Sequence, residues 1–184
     1  MDAGGISLEL RSPDGTLHYS ARAEDADEGL VGLHPPLLSL QPWGSRPVYG
    51  DVLFHGPQFQ VIESIEGVGE DGISGELTGL ELAGWADEPW VSDVAVLDGA
   101  LQLALLWGSH VLGLASLPTR IGTLRWFSTD APLELTRAIL TRREITGSRT
   151  LSDILLVDDE GVPVAELCDV ETHALPRRSK AAGS

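Results

Sequence analysis

Asp98 and Gln102 stand four residues apart in Leu97-Asp98-Gly99-Ala100-Leu101-Gln102, so on a helix they share one face. The neighbours Val96-Leu97 and Ala100-Leu101 are apolar, which takes the carboxyl into a partly dry site. Burial disfavours the charged form of a carboxyl, and that suits it to give a proton to a leaving hydroxyl or to share one with it. A position near the helix start, where the backbone dipole favours an anion, also admits the plainer role of a helix cap. Gly99 would let another backbone or a substrate come close. The second suggestive stretch is Leu53-Phe54-His55-Gly56-Pro57-Gln58-Phe59-Gln60, a tight turn feeding a strand, with Tyr49 just upstream. His55 is placed either at the edge of a substrate site or in a purely structural turn.

These residues need elements to hold them. Val94 to Leu114 is strongly apolar, rich in helix formers and free of proline; Gly113 and Pro118 mark its end. Before it, Phe59 to Glu66 and Gly72 to Leu80 read as a strand pair. After it come four strand-like runs, Ile121 to Ser128, Leu133 to Thr146, Thr150 to Val157 and Val162 to Ala174. A helix apolar on most of its faces must be wrapped, and an antiparallel sheet curled around it does so. At 1.5 Å per residue, about 17 helical residues run on the order of 25 Å, enough to cross such a sheet. One long helix fits neither a four-helix bundle nor a doubly wound fold.

The N-terminal part differs. Ile6 to Leu10 and Leu17 to Ala23 alternate around the turn Ser12-Pro13-Asp14-Gly15, a hairpin. A lone hairpin is marginal in water, so these strands are expected to join a larger sheet. An acidic run and then Pro35-Pro36 and Pro42-Trp43-Gly44 read as a linker. The expected organisation is a hairpin at 1–24, a linker at 25–46, a main domain at 47–175 and a disordered tail at 176–184.

The 184-residue chain carries a net charge of −16, from 28 acidic and 12 basic residues. Such a surface repels phosphate backbones and anionic lipid, which argues against nucleic-acid and membrane partners. The single cysteine, Cys168, excludes an intrachain disulfide and reads as a structural thiol. The first residues show no basic stretch leading into an apolar one, so a cytoplasmic location is expected. Gly67-Val68-Gly69-Glu70-Asp71-Gly72 spells a dinucleotide loop, but a strand follows it and its acids would repel a pyrophosphate. No histidine or cysteine cluster has metal-ligand spacing. Trp85 and Trp90 bracket a loop that could close over the helix start.

The Asp98-to-Gln102 motif and the Gly56-Pro57-x-Phe59 turn together resemble the dehydratase domains of polyketide and polyunsaturated-fatty-acid synthases, over roughly residues 47 to 175 and in their C-terminal half. The resemblance implies an α+β hot-dog fold, half of a double hot-dog, with the hairpin at 6–23 similar to the closing strands of a preceding half. It implies Asp98 as the acid that assists departure of a β-hydroxyl and Gln102 as its partner. Tyr49, His55, Gly56, Pro57 and Phe59 would then shape the acyl site. The implied ligand is a 3-hydroxyacyl chain on the phosphopantetheine arm of an acyl carrier protein, with no metal or redox cofactor. The implied partners are that carrier, neighbouring synthase domains and a second copy in a homodimer.

Two departures qualify the resemblance. The His-Pro that often precedes the acidic motif is Asp93-Val94 here. The family's catalytic base lies in an H-x-x-x-G-x-x-x-x-P stretch, which none of His18, His34, His55, His110 and His173 begins. The chain alone is therefore expected to be a weak catalyst or none. An acidic carrier would need a basic spot, with Arg120 and Arg125, or Arg142 and Arg143, as candidates. Two other readings remain open: a non-catalytic pseudo-dehydratase that holds synthase domains together, and a single hot-dog thioesterase or hydratase.

Overall fold

The structure, a computed structural model, describes residues 5–25, 33–85, 90–127 and 133–176. The chain divides into two units, Met1–Val31 and Gly32–Ser184. The expected tail lies outside the described residues from 177 onward.

In the first unit, β1 (Ile6–Arg11) and β2 (Leu17–Ala23) pair antiparallel, with Leu8 opposite Ala21 and Leu10 opposite Tyr19. The Asp14 carboxylate closes the turn by accepting from Ser12 and from Thr16 N, and the Ser12 hydroxyl pulls the Asp14 pKa down to about 2. Alternation puts Ile6, Leu8, Leu10, Tyr19, Ala21 and Ala23 on one face. The strands were expected to join a larger sheet; among the described residues they pair only with each other.

Among its described residues the second unit holds one seven-stranded antiparallel sheet, one α-helix and one short 3-10 helix. The strands are β3 (Ile62–Gly69), β4 (Gly72–Thr78), β5 (Ser116–Arg120), β6 (Thr123–Trp126), β7 (Leu135–Thr146), β8 (Arg149–Val157) and β9 (Pro163–Ala174). Their order across the sheet is β3-β4-β7-β8-β9-β5, and β6 also pairs with β9. The glycine-rich stretch that spells a nucleotide loop is the β3–β4 hairpin, with Gly69 opposite Gly72.

Helix α1 (Val94–Leu112) lies between β4 and β5 in sequence and packs across the sheet, with 11 of its 19 residues buried. By length and composition it could cross a membrane, but it is the core helix of this unit. Val96, Ala100, Leu103, Ala104 and Trp107 of α1 meet Ile73, Leu77, Leu140, Ile154, Leu156, Leu167 and Val170 of the strands in one core. Each large side chain so buried contributes roughly 1.5–3 kcal/mol. Gly113, read as a stop signal, is the left-handed C-cap at φ 67° and donates to Ser109 O. This is the helix-in-sheet arrangement of a hot-dog fold.

Two expectations are corrected. Five strands follow the helix, not four: β5 contains Pro118, which reads as a helix-stop signal. Proline survives there because β5 is an edge strand that, among the described residues, pairs only with β9. The expected linker is also structured in its second half. Gln41 and Val68 exchange backbone hydrogen bonds of 3.0 and 2.9 Å, and Leu38 packs on Ile139, Leu155 and Val157. The segment thus covers the outer edge of β3, which would otherwise offer unpaired backbone groups.

Candidate active site

Asp93, not Asp98, caps α1. It is fully buried, and its Oδ1 accepts from Ala95 N and Val96 N at 3.1 Å each. Its Oδ2 accepts from Leu80 N at 2.9 Å and Leu133 N at 3.0 Å. One carboxylate therefore ties the helix start to the segment after β4 and to the segment before β7. In the sequence Asp93 stands out as a departure from His-Pro, but an aspartate directly before an apolar helical run is also the signal of a cap.

With the cap role filled, the Asp98 carboxylate is free for other work. It lies in the second turn of α1 and is half-buried. Gln102, one turn on and 1% exposed, donates from Nε2 to Asp98 Oδ2 at 2.7 Å. The same nitrogen donates to the Phe59 carbonyl at 2.8 Å. Tyr49 donates its hydroxyl proton to Gln102 Oε1 at 2.9 Å and accepts from Ile62 N at 2.8 Å. Burial, with the Asp98 charge adding to it, pushes the Tyr49 phenol up to about 12. Tyr49, Phe59, Asp98 and Gln102 thus meet in one network, although the chain separates Tyr49 from Gln102 by 53 positions.

The turn that supplies Phe59 is a short 3-10 helix, Pro57–Phe59, in which proline at the first position fixes the backbone. Phe59 N donates back to Gly56 O at 2.8 Å. The Phe59 ring is half-exposed and meets Trp85 edge-on, ring centres 5.3 Å apart. Trp85 Nε1 donates to Gln58 O at 2.6 Å, clasping the turn from outside. Trp85 therefore belongs to this site; the loop it was expected to open lies partly outside the described residues, at 86–89. His55 stacks on Phe54 and stands edge-on to Tyr49, and its Nδ1 is buried without a hydrogen-bond partner among the described residues. Of the two close approaches expected at Gly99, the geometry accounts for that of the protein itself: its missing Cβ would lie 2.9 Å from Leu77 and 3.2 Å from Val61, so its smallness serves the helix–sheet contact.

Other candidates separate from this cluster. His110 is at the far end of α1, about 18 Å along the axis from Asp98, and lines a groove of about 590 Å³ with Glu70, Val111, Arg142, Arg143, Glu144 and Ile145. Arg142 pairs with Glu70 and Asp71, Arg143 with Asp153, and Arg125 with Glu166. Arg120 is exposed and has no ion-pair partner among the described residues. Burial, with Glu166 nearby, pushes the Cys168 thiol up to about 11, so it holds little thiolate at neutral pH. Among the described residues no group of three His, Cys, Asp or Glu side chains could hold a metal ion.

Residues 40–182 match a family model described as the polyketide synthase dehydratase N-terminal domain. That description names the N-terminal domain, whereas the motif resemblance points to the C-terminal half. No curated protein matches the chain. The dehydratase domain of PpsC from Mycobacterium tuberculosis, solved in complex with C12:1-CoA, is similar at a TM-score of 0.71 and 20% identity, over 95% of this chain and 66% of that one. A trans-AT polyketide synthase dehydratase domain from Brevibacillus brevis is similar at a TM-score of 0.65 and 21% identity, over 96% and 67%. A bifunctional dehydratase-cyclase domain from ambruticin biosynthesis gives a TM-score of 0.66 and 19% identity, over 96% and 66%. At these identities the likeness shows a shared fold. The chain spans about two thirds of the length of these solved domains.

Proposed function

The chain belongs to the polyketide synthase dehydratase family, and from that premise we propose that it carries the acid side of a water-elimination site for 3-hydroxyacyl thioesters presented by an acyl carrier protein. The observation that carries this reading is the half-buried Asp98, held at Oδ2 by Gln102 and without a hydrogen-bond partner at Oδ1 among the described residues.

Elimination breaks a Cα–H and a Cβ–O bond. A base takes the α-proton, the freed electron pair becomes the Cα=Cβ bond, and the hydroxyl leaves with a proton from Asp98 as water. The base then holds the proton that must return to Asp98. No histidine of this chain begins the family's base motif, so the base is a histidine from a second hot-dog half. A cytoplasmic multidomain synthase is the setting in which such a half and the carrier lie close by. Arg120, exposed and without an ion-pair partner among the described residues, is a cation available to greet an acidic carrier, and a rim charge of this kind acts mainly on the association rate.

Carrier-bound 3-hydroxybutyrate is the test substrate. The chain alone is expected to give no unsaturated product, and the chain mixed with a separately expressed histidine-bearing dehydratase half is expected to give it. Turnover by the chain alone would contradict the missing base. Binding of that half without turnover would favour a scaffolding role.

A further inference from the structure

We infer that Tyr49 is a positioning residue that, together with the Phe59 carbonyl, locks the Gln102 amide and so directs Asp98 to meet the substrate through Oδ1.

Hydrogen-bond polarity fixes each member of this chain of contacts. A backbone carbonyl can only accept, so the Gln102 atom 2.8 Å from Phe59 O must be the amide nitrogen. The other Gln102 terminal atom is then its oxygen, and it faces the Tyr49 hydroxyl at 2.9 Å. A backbone N–H can only donate, so Ile62 N, 2.8 Å from Tyr49 Oη, occupies a phenol lone pair and leaves the phenol proton for Gln102. Both ends of the chain are thus fixed by the main chain, and neither Tyr49 nor Gln102 can reverse.

The remaining Gln102 N–H goes to Asp98 Oδ2 at 2.7 Å. An oxygen that receives an N–H cannot also point a proton along that line. The carbonyl oxygen of a carboxylic acid accepts better than its hydroxyl oxygen, so this N–H favours the protonated form with its hydrogen on Oδ1, which has no partner among the described residues. The two fixing groups, Phe59 O and Ile62 N, flank the end of the Gly-Pro-x-Phe turn. That turn has a task beyond shaping the acyl site: it sets the sense of the relay ending at Asp98. The catalytic consequence rests on the dehydratase reading, whereas the relay itself rests on geometry alone.

The experiment is nuclear magnetic resonance of the Gln102 side-chain amide in the isotopically labelled full chain, unmodified and as Tyr49→Phe, the signal being assigned by its loss in Gln102→Leu. In Tyr49→Phe the two amide protons are expected to exchange with solvent roughly threefold to tenfold faster, the equivalent of one hydrogen bond, and to approach each other in shift. Signals that overlay those of the unmodified chain would overturn the inference. Should Tyr49→Phe fail to fold, Gln102→Glu reports on the same polarity. It sets an oxygen against both Phe59 O and Asp98 Oδ2, so it must bind a proton, and its stability is expected to fall as pH rises through the carboxylate range. Stability that follows the unmodified chain across that range would overturn the polarity. With the complementing half present, Tyr49→Phe is expected to lower kcat with KM nearly unchanged. A changed amide signal without turnover in any chain upholds the relay and removes the dehydratase reading; an unchanged amide signal with normal turnover does the reverse.

Discussion

The Gln102 amide donates to the Phe59 carbonyl across 43 positions of sequence, at 2.8 Å. This bond joins the helix motif that holds the acid to the turn motif that precedes β3. The two motifs are therefore parts of one device, and a change in either is felt at Asp98.

Asp98→Asn keeps the shape of the side chain and removes its acid. In the complemented elimination assay the rate is expected to fall about 10²- to 10⁴-fold, the usual share of a positioned acid or base. Thermal unfolding should move little. A rate within a few-fold of the unmodified chain would remove Asp98 from the chemistry.

Tyr49 links the site to alkaline stability. Its phenol is raised from 10.0 to about 12 by burial first, with Asp98 contributing. Between those values the folded chain keeps a proton that the unfolded chain has lost. The stability this group contributes is therefore whole below about pH 10 and is lost as pH rises toward 12. Tyr49→Phe is expected to flatten that part of the stability profile, and Asp98→Asn to lower the tyrosinate midpoint in an ultraviolet titration.

Asp93 accepts four backbone N–H groups while wholly buried. Asp93→Ala leaves all four donors without a partner. The expected cost is about 3–5 kcal/mol, above the ~1 kcal/mol of an ordinary helix cap. Denaturant unfolding measures it, and a loss near 1 kcal/mol would show that water or neighbouring groups replace the carboxylate.

Gly99 and Gly79 make a graded pair. Alanine at 99 gains roughly 1 kcal/mol of helix propensity but forces its methyl to 2.9 Å from the buried Leu77. Overpacking costs about 1–3 kcal/mol, so a small net loss is expected. Alanine at 79 would drive its methyl into the backbone oxygen of Leu133, which cannot swing away. Gly79→Ala is expected to be the more damaging by calorimetry, and to fail outright if the β4 and β7 ends cannot part.

Much of this protein was written in local pattern. The apolar run from Val94 with Gly113 after it defines one buried helix, because a rod apolar on most sides has to be covered. Alternation fixes the strands, and four-residue spacing brings Asp98 beside Gln102, because both follow from backbone geometry alone. What the tertiary structure decided is which polar group does which work. Asp93 took the cap, since the ends of β4 and β7 bring Leu80 N and Leu133 N to the same carboxylate. Pro118 became an edge-strand residue because, among the described residues, only one side of β5 has a neighbour. Gly99 faces the sheet. Tyr49 became the first member of the relay, because hydrogen bonds between distant segments depend on how strands stack around the helix, and no spacing rule in the chain encodes that distance.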